Sequence, residues 1–140
     1  MKIAKLACIW LLILTGGRGL VGQSTRSKTE AEDVRAAIAG VWRGHSVCVE
    51  KNSPCHNEVN VYRFSRIAGR SNQFSVTASK VVEGKEIVMG SGEWKYDEKM
   101  KVVKSDTPVI RMAVDGRKME GTLSLANGTV YRRIYLEKEN

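Results

Sequence analysis

From Gly40 to the C-terminus the chain alternates with a period of two, and that pattern constrains its fold more than any other feature. The runs are VWRGHSVCVE (41–50), EVNVYRFSRI (58–67), QFSVTASKVV (73–82), EIVMGSGEW (86–94), KMKVVKSD (99–106), PVIRMAVD (108–115), KMEGTLSLA (118–126) and TVYRRIYLEK (129–138). Turn-like stretches separate them: KNSPCHN, AGRSN, EGK, YDE, TP, DG and NG. Eight short strands with a turn signal about every ten residues predict an antiparallel all-β barrel or sandwich. No long helical stretch lies between them, which argues against a parallel sheet. No internal repeat and no second domain is visible.

The last three strands can be placed in register. Asn-Gly and Asp-Gly are strong signals for two-residue hairpin turns, which need positive φ. Centring one turn on Asn127-Gly128 sets Leu125 opposite Val130, Leu123 opposite Arg132, Gly121 opposite Ile134 and Met119 opposite Leu136. Centring the other on Asp115-Gly116 sets Met112 opposite Met119 and Ile110 opposite Gly121. Both hairpins then share one apolar face of Ile110, Met112, Met119, Leu123, Leu125, Val130, Ile134 and Leu136. Such alternation specifies register strongly. Arg132 breaks the pattern, because it lies on the apolar face. A buried guanidinium needs its charge and donors satisfied, by an aromatic ring and backbone carbonyls. Alternatively, Arg132 sits at a barrel mouth and extends to water.

The first 22 residues read as a segment removed on export. MKIAK is basic, LACIWLLIL is apolar but too short to span a bilayer, and TGGRGLVGQ is rich in small residues. Cleavage is expected between Gly22 and Ser24, leaving no membrane span and placing the protein outside the cell or in a periplasm. Loss of Lys2, Lys5 and Arg18 lowers the formal charge from +8 to +5. Roughly 115 residues remain, enough for one domain. The charges are scattered without interleaved aromatics, so they read as a solubilising surface, and no specific nucleic-acid binding is expected. Residues 23–28 read as a flexible lead. A short helix is predicted over 29–39, with Thr29 and Glu32 as a capping box, Ala31, Val34 and Ile38 on one face, and Gly40 as its stop.

Removal of Cys8 leaves Cys48 and Cys55 as an even pair. Together with His45 and His56 they suggest a metal site, but the spacing argues otherwise. His45 and Cys48 point to opposite faces of one strand, and neither spacing matches a usual pair of zinc ligands. In an exported protein the disulfide Cys48–Cys55 is the stronger reading, worth roughly 2–3 kcal/mol by loop closure. No metal and no cofactor is expected. Catalysis is not expected either. G-x-S-x-G, H-E-x-x-H and phosphate-binding glycine loops are all missing, and Ser46 and His45 face opposite sides of the strand. Asn127-Gly128-Thr129 matches a glycosylation acceptor, although the hairpin turn already explains it.

Gly40-x-Trp42 after a short helix, with an inward Arg132 on the last strand, resembles the calycin superfamily of lipocalins, fatty-acid-binding proteins and avidins. The resemblance implies an eight-stranded antiparallel up-and-down barrel preceded by a short helix, covering residues 40–140. It also implies that Arg132 lies against Trp42 and closes the base of the barrel, with the helix over that end. The chain is shorter than most lipocalins and lacks their C-terminal helix. GVWRGHSVC…SPCHNEVNVYR…MG…YDE…GTL…NGTVYRR further resembles a group of small exported bacterial proteins, a likeness that implies fold and compartment and brings no activity.

Within such a barrel Trp42, Gly44, Ser46 and Cys48 turn inward from the first strand, and Tyr62 and Phe64 from the second. With Met112, Leu123 and Arg132 they make a mostly apolar interior, in which Gly44, Gly90, Gly92 and Gly121 leave room. Eight strands can hold one small ligand or fill completely. The first reading is thus a binding module whose interior residues Trp42, Ser46, Tyr62, Phe64, Met112, Leu123 and Arg132 meet a small apolar or amphipathic molecule. The second is a filled barrel that docks on a protein, inhibitor-like, through the disulfide-tethered loop 49–54, with Lys51 and Asn52 exposed.

Overall fold

The computed structural model describes residues 22–140. The expected export segment, with Cys8, lies outside the described residues apart from Gly22. Helix α1 (Gly22–Ile38) is followed by β1 (Gly40–Cys48), β2 (Glu58–Arg66), β3 (Gln73–Val82), β4 (Lys85–Asp97), β5 (Val102–Asp106), β6 (Val109–Asp115), β7 (Lys118–Ser124) and β8 (Val130–Lys138). Neighbours in sequence pair as antiparallel neighbours in space, and β8 returns to β1. The result is a closed up-and-down barrel, as the strand pattern and turn signals predict.

The helix begins earlier than expected. Residues 23–28, read as a flexible lead, belong to α1, so Thr29 stands inside the helix and not at its cap. Polar sequence misleads here because Lys28, Thr29, Glu30, Glu32 and Asp33 are all exposed and need no apolar stripe. The C-terminal end anchors the helix: Ile38 is buried in the core, and Val34 and Ala39 pack against it. Glu32 reaches Arg35 at 3.1 Å and also pairs with Arg66 of β2.

Both hairpins at the end of the chain keep their faces except at Leu125, and not every expected partner is met. In β7–β8, Met119 faces Leu136, Gly121 faces Ile134 and Leu123 faces Arg132, as the turn argument requires. The register then shifts, and Ser124 faces Val130. Leu125 therefore leaves the apolar face and is exposed in the turn, where its N–H donates to Thr129 O at 2.8 Å and its carbonyl accepts from Gly128 at 2.9 Å. In β6–β7 the central residues are Gly116 and Arg117, because Asp115 pairs with Lys118. Gly116 takes φ +56° at the first central position. Met112 consequently faces Gly121, and Ile110 faces Leu123, a slip of two residues from the expected pairs. A slip of two preserves the inward face, since side chains alternate with period two.

The interior follows that alternation. Trp42, Phe64, Phe74, Tyr96, Val103, Met112, Met119 and Leu136 fill the end nearest α1, with Ile38 set against them. Phe64 makes edge-on contacts with Phe74 at 6.1 Å and Trp94 at 5.7 Å, and Trp94 meets Tyr62 at 5.6 Å. Such pairs add about 0.5–1.5 kcal/mol each beyond the area they bury.

The four inward glycines divide into two kinds. A Cβ on Gly44 would overlap the Tyr135 carbonyl oxygen of β8, and one on Gly121 would overlap the Arg111 carbonyl oxygen of β6. From sequence both are expected to leave room for a ligand, which the structure contradicts at these two positions. They let neighbouring backbones close on one another where strands bend to complete the barrel. Gly90 and Gly92 of β4 have no atom within 4 Å of an added Cβ. Gly44→Ala and Gly121→Ala should each cost at least roughly 2 kcal/mol in urea denaturation, whereas Gly90→Ala and Gly92→Ala should stay within about 1 kcal/mol. Equal effects at all four positions would contradict this division.

Candidate functional site

Each end of the barrel is closed by a different chemistry. At the α1 end, Trp42 is completely buried, and its indole N–H donates to Ile38 O at 2.8 Å. The cation against its ring is Lys138, whose Nζ stands 5.8 Å from the ring centroid. The same ammonium donates to Ala36 O at 3.2 Å and Ala37 O at 2.6 Å. It thus satisfies carbonyls that the end of a helix leaves free, at the negative end of the helix dipole. Burial first, and then nearby Arg117, hold the Lys138 pKa below its ordinary value.

Arg132 does not lie against Trp42, so the contact implied by the calycin resemblance is replaced. The register explains why. Trp42 of β1 faces Lys138 of β8, while Arg132 faces Cys48 at the other end of the same strand pair. Six residues of strand separate them, about 20 Å. Arg132 is nonetheless inward and only 12% exposed. It donates to His56 O at 3.1 Å and Ser46 Oγ at 3.4 Å, approaches the Glu58 carboxylate at 3.5 Å, and lies over the Tyr131 ring at 5.4 Å. Lys80 approaches the same carboxylate at 3.8 Å. The buried Asn60 donates to Ser79 O at 3.4 Å, so a polar cluster occupies this end.

The disulfide Cys48–Cys55 closes the β1–β2 loop beside that cluster, with the two Cα atoms 6.0 Å apart. Asn57 accepts from the Cys48 N–H at 2.9 Å, and the Ser53 hydroxyl donates to Glu50 O at 3.1 Å. Glu50, Lys51, Asn52 and Pro54 remain exposed on this tethered loop, as do His45 on β1 and His56 at the loop's end.

Between the two ends the wall holds a cavity of about 270 Å³. Tyr62, Val76 and Ala78 line one side, Met89, Gly90, Ser91, Gly92 and Trp94 of β4 the second, and Thr107, Pro108, Ile110 and Leu123 the third. It exists because β4 and β5 diverge. They pair only at Lys95–Lys104, Tyr96–Val103 and Asp97–Val102. Tyr62 links cavity and polar cluster. Its phenol is pushed up to about 12, by burial first and then by Glu58, with Arg132 acting in the opposite direction.

The seven residues expected to meet a ligand thus separate into three groups. Tyr62 and Leu123 line the cavity. Trp42, Phe64 and Met112 belong to the packed core, and Ser46 and Arg132 belong to the polar cluster. Trp94 and Ile110 lay on legible apolar alternation, whereas Met89, Thr107 and Pro108 depend on the unequal lengths of β4 and β5. A larger depression of about 690 Å³ lies on the outer face along Arg43, His45, Tyr135 and Glu139. There Arg43 and Glu139 pair at 2.6 Å, and Lys118, Glu120 and Glu137 also line the depression.

Comparison with protein-family models, with curated proteins and with solved structures gives no match.

Two measurements test this arrangement. Lys138→Ala should lower stability by about 1–2 kcal/mol through loss of the helix-end bonds and the ring contact, and Lys138→Arg should recover part of it. For Tyr62 the folded-state pKa is raised, so its contribution is complete below pH 10 and lost as pH rises towards about 12. Denaturant unfolding should show roughly 2–3 kcal/mol lost over that window, and Tyr62→Phe should remove that part of the loss.

Proposed function

We propose that this chain is an exported, calycin-like binding barrel that holds one small apolar or amphipathic molecule, and not a catalyst. The observation that carries the reading is the cavity of about 270 Å³ beside β4. Its walls are apolar and aromatic, with few polar groups: the Tyr62 and Thr107 hydroxyls and Ser91. That composition suits a ligand with one polar end. Its volume is close to the lower limit for small-molecule sites, which favours a compact ligand or one that extends partly outside. Export is supported by the basic and apolar start of the sequence and by the Cys48–Cys55 bond, since disulfides persist in oxidising compartments. Among the described residues no helix is long and apolar enough to cross a membrane.

Filling the cavity without disturbing the fold gives the test. A side chain at Gly92 points into open space, so Gly92→Leu should fold with near-native stability. Titration with the apolar fluorophore 1-anilinonaphthalene-8-sulfonate, alongside native mass spectrometry of the protein as purified, reads the binding. Gly92→Leu should weaken fluorophore binding about tenfold or more, and Ser46→Ala, away from the cavity, should leave it within about twofold. Unchanged affinity in Gly92→Leu would overturn the reading.

A further inference from the structure

β4 has thirteen residues and pairs with β3 from Lys85 to Lys95, but β5 has five and meets β4 only at its far end. Along Glu86–Glu93, β3 is the one strand among the described residues that β4 pairs with, so its other edge carries backbone N–H and C=O groups without a strand partner. Eight residues of edge span about 26 Å. Edges of this kind are usually protected by proline, charge or short length. Here Ile87, Val88, Met89, Gly90, Ser91 and Gly92 run without either residue type, protected only by a bulge at Met89 opposite Ala78 and Ser79. Ile87 and Met89 are each 47% exposed and Val88 is 65% exposed.

Two further features lie along the same edge. The cavity opens between Gly90–Gly92 and the Thr107–Pro108 turn, so an inward side chain on a strand laid beside β4 would enter it. The gap narrows at the pair Lys95–Lys104, which stand directly opposite on the outward face. The β4–β5 hairpin there carries Lys95, Lys99, Lys101 and Lys104 against only Asp97 and Glu98, a net excess of two positive charges. The edge's own carboxylates are already engaged: Glu93 pairs with Arg70 at 2.7 Å, and Glu86 pairs with Arg63 at 2.6 Å and Arg43 at 3.1 Å.

We propose that the β4 edge accepts an extended peptide strand of a partner protein, which pairs with Glu86–Glu93, inserts one apolar side chain into the cavity and sets an acidic side chain against Lys95, Lys104 being already paired with Asp97 at 3.4 Å. Main-chain bonds supply affinity in this mode of strand addition, and alternate side chains supply selectivity. The inserted strand completes the wall that β4 and β5 leave open. This inference does not depend on the small-molecule reading, because a small ligand has no use for the backbone edge.

The test uses a fluorophore-labelled peptide of eight residues, with valines and a central phenylalanine at alternate positions, threonines between them and one glutamate near an end. Fluorescence anisotropy with the full chain should show saturable binding. Two N-methylated forms, each blocking one alternate set of amides, should differ: one binds about tenfold or more weaker and the other within about threefold. Lys95→Glu should weaken binding about threefold to tenfold, and a glutamine in place of the peptide's glutamate should remove that dependence. Amide exchange at Glu86–Glu93 should slow in the complex. Equal affinity of the two N-methylated forms, unchanged exchange along β4, or self-association through this edge in analytical ultracentrifugation would overturn the proposal. Fluorophore binding that survives those outcomes leaves the cavity reading intact. Peptide binding to a protein that takes up no fluorophore would sink only the latter.

Discussion

The pairing of β8 with β1 is the constraint on which the rest depends. It removes the free edges that an eight-stranded antiparallel sheet would otherwise expose, and it sets the positions of both end clusters at once. Closure requires backbones to approach so tightly that Gly44 and Gly121 have no space for a side chain. Once β1 and β8 are in register, Trp42 meets Lys138 and Cys48 meets Arg132. The chemistry at each end then follows from which residues the register delivers there.

Those two ends differ in kind. At one, an ammonium serves a helix terminus and an indole together, and the aromatic core behind it is buried. At the other, one carboxylate is shared by Arg132 and Lys80, with Ser46, Asn60 and a disulfide completing the cluster. Both ends being occupied, the interior opens sideways, through the wall between β4 and the β5–β6 turn. A side opening carries unpaired backbone with it, which a ring of loops at a barrel mouth does not. The candidate site is therefore a strand edge as well as a cavity.

Much of the fold was legible because its cues are local. Alternation places Trp42, Tyr62, Phe64, Ile110, Met112 and Ile134 inside, and turn residues such as Gly84, Gly116 and Gly128 take the positive φ that hairpins demand. Register errors of two residues left faces unchanged, so the inward set survived the wrong partners for Met112 and Ile110. Leu125 was misplaced because a register shift near a turn leaves no trace in hydrophobic pattern. The polar start of α1 was misread because an exposed helix needs no apolar face.

The sequence by itself determined the number of strands, the inward face of each, the stretches where the chain turns though not every turn's central residues, and the Cys48–Cys55 pairing, because period, turn chemistry and short-range spacing act within a few residues. Tertiary structure alone decided that Lys138 and not Arg132 covers Trp42. It also decided that Gly44 and Gly121 serve closure while Gly90 and Gly92 border a cavity, and that the wall opens between β4 and β5. Each of these depends on which distant strands meet, and at what length one stops pairing with the next. Only the closed barrel sets those distances.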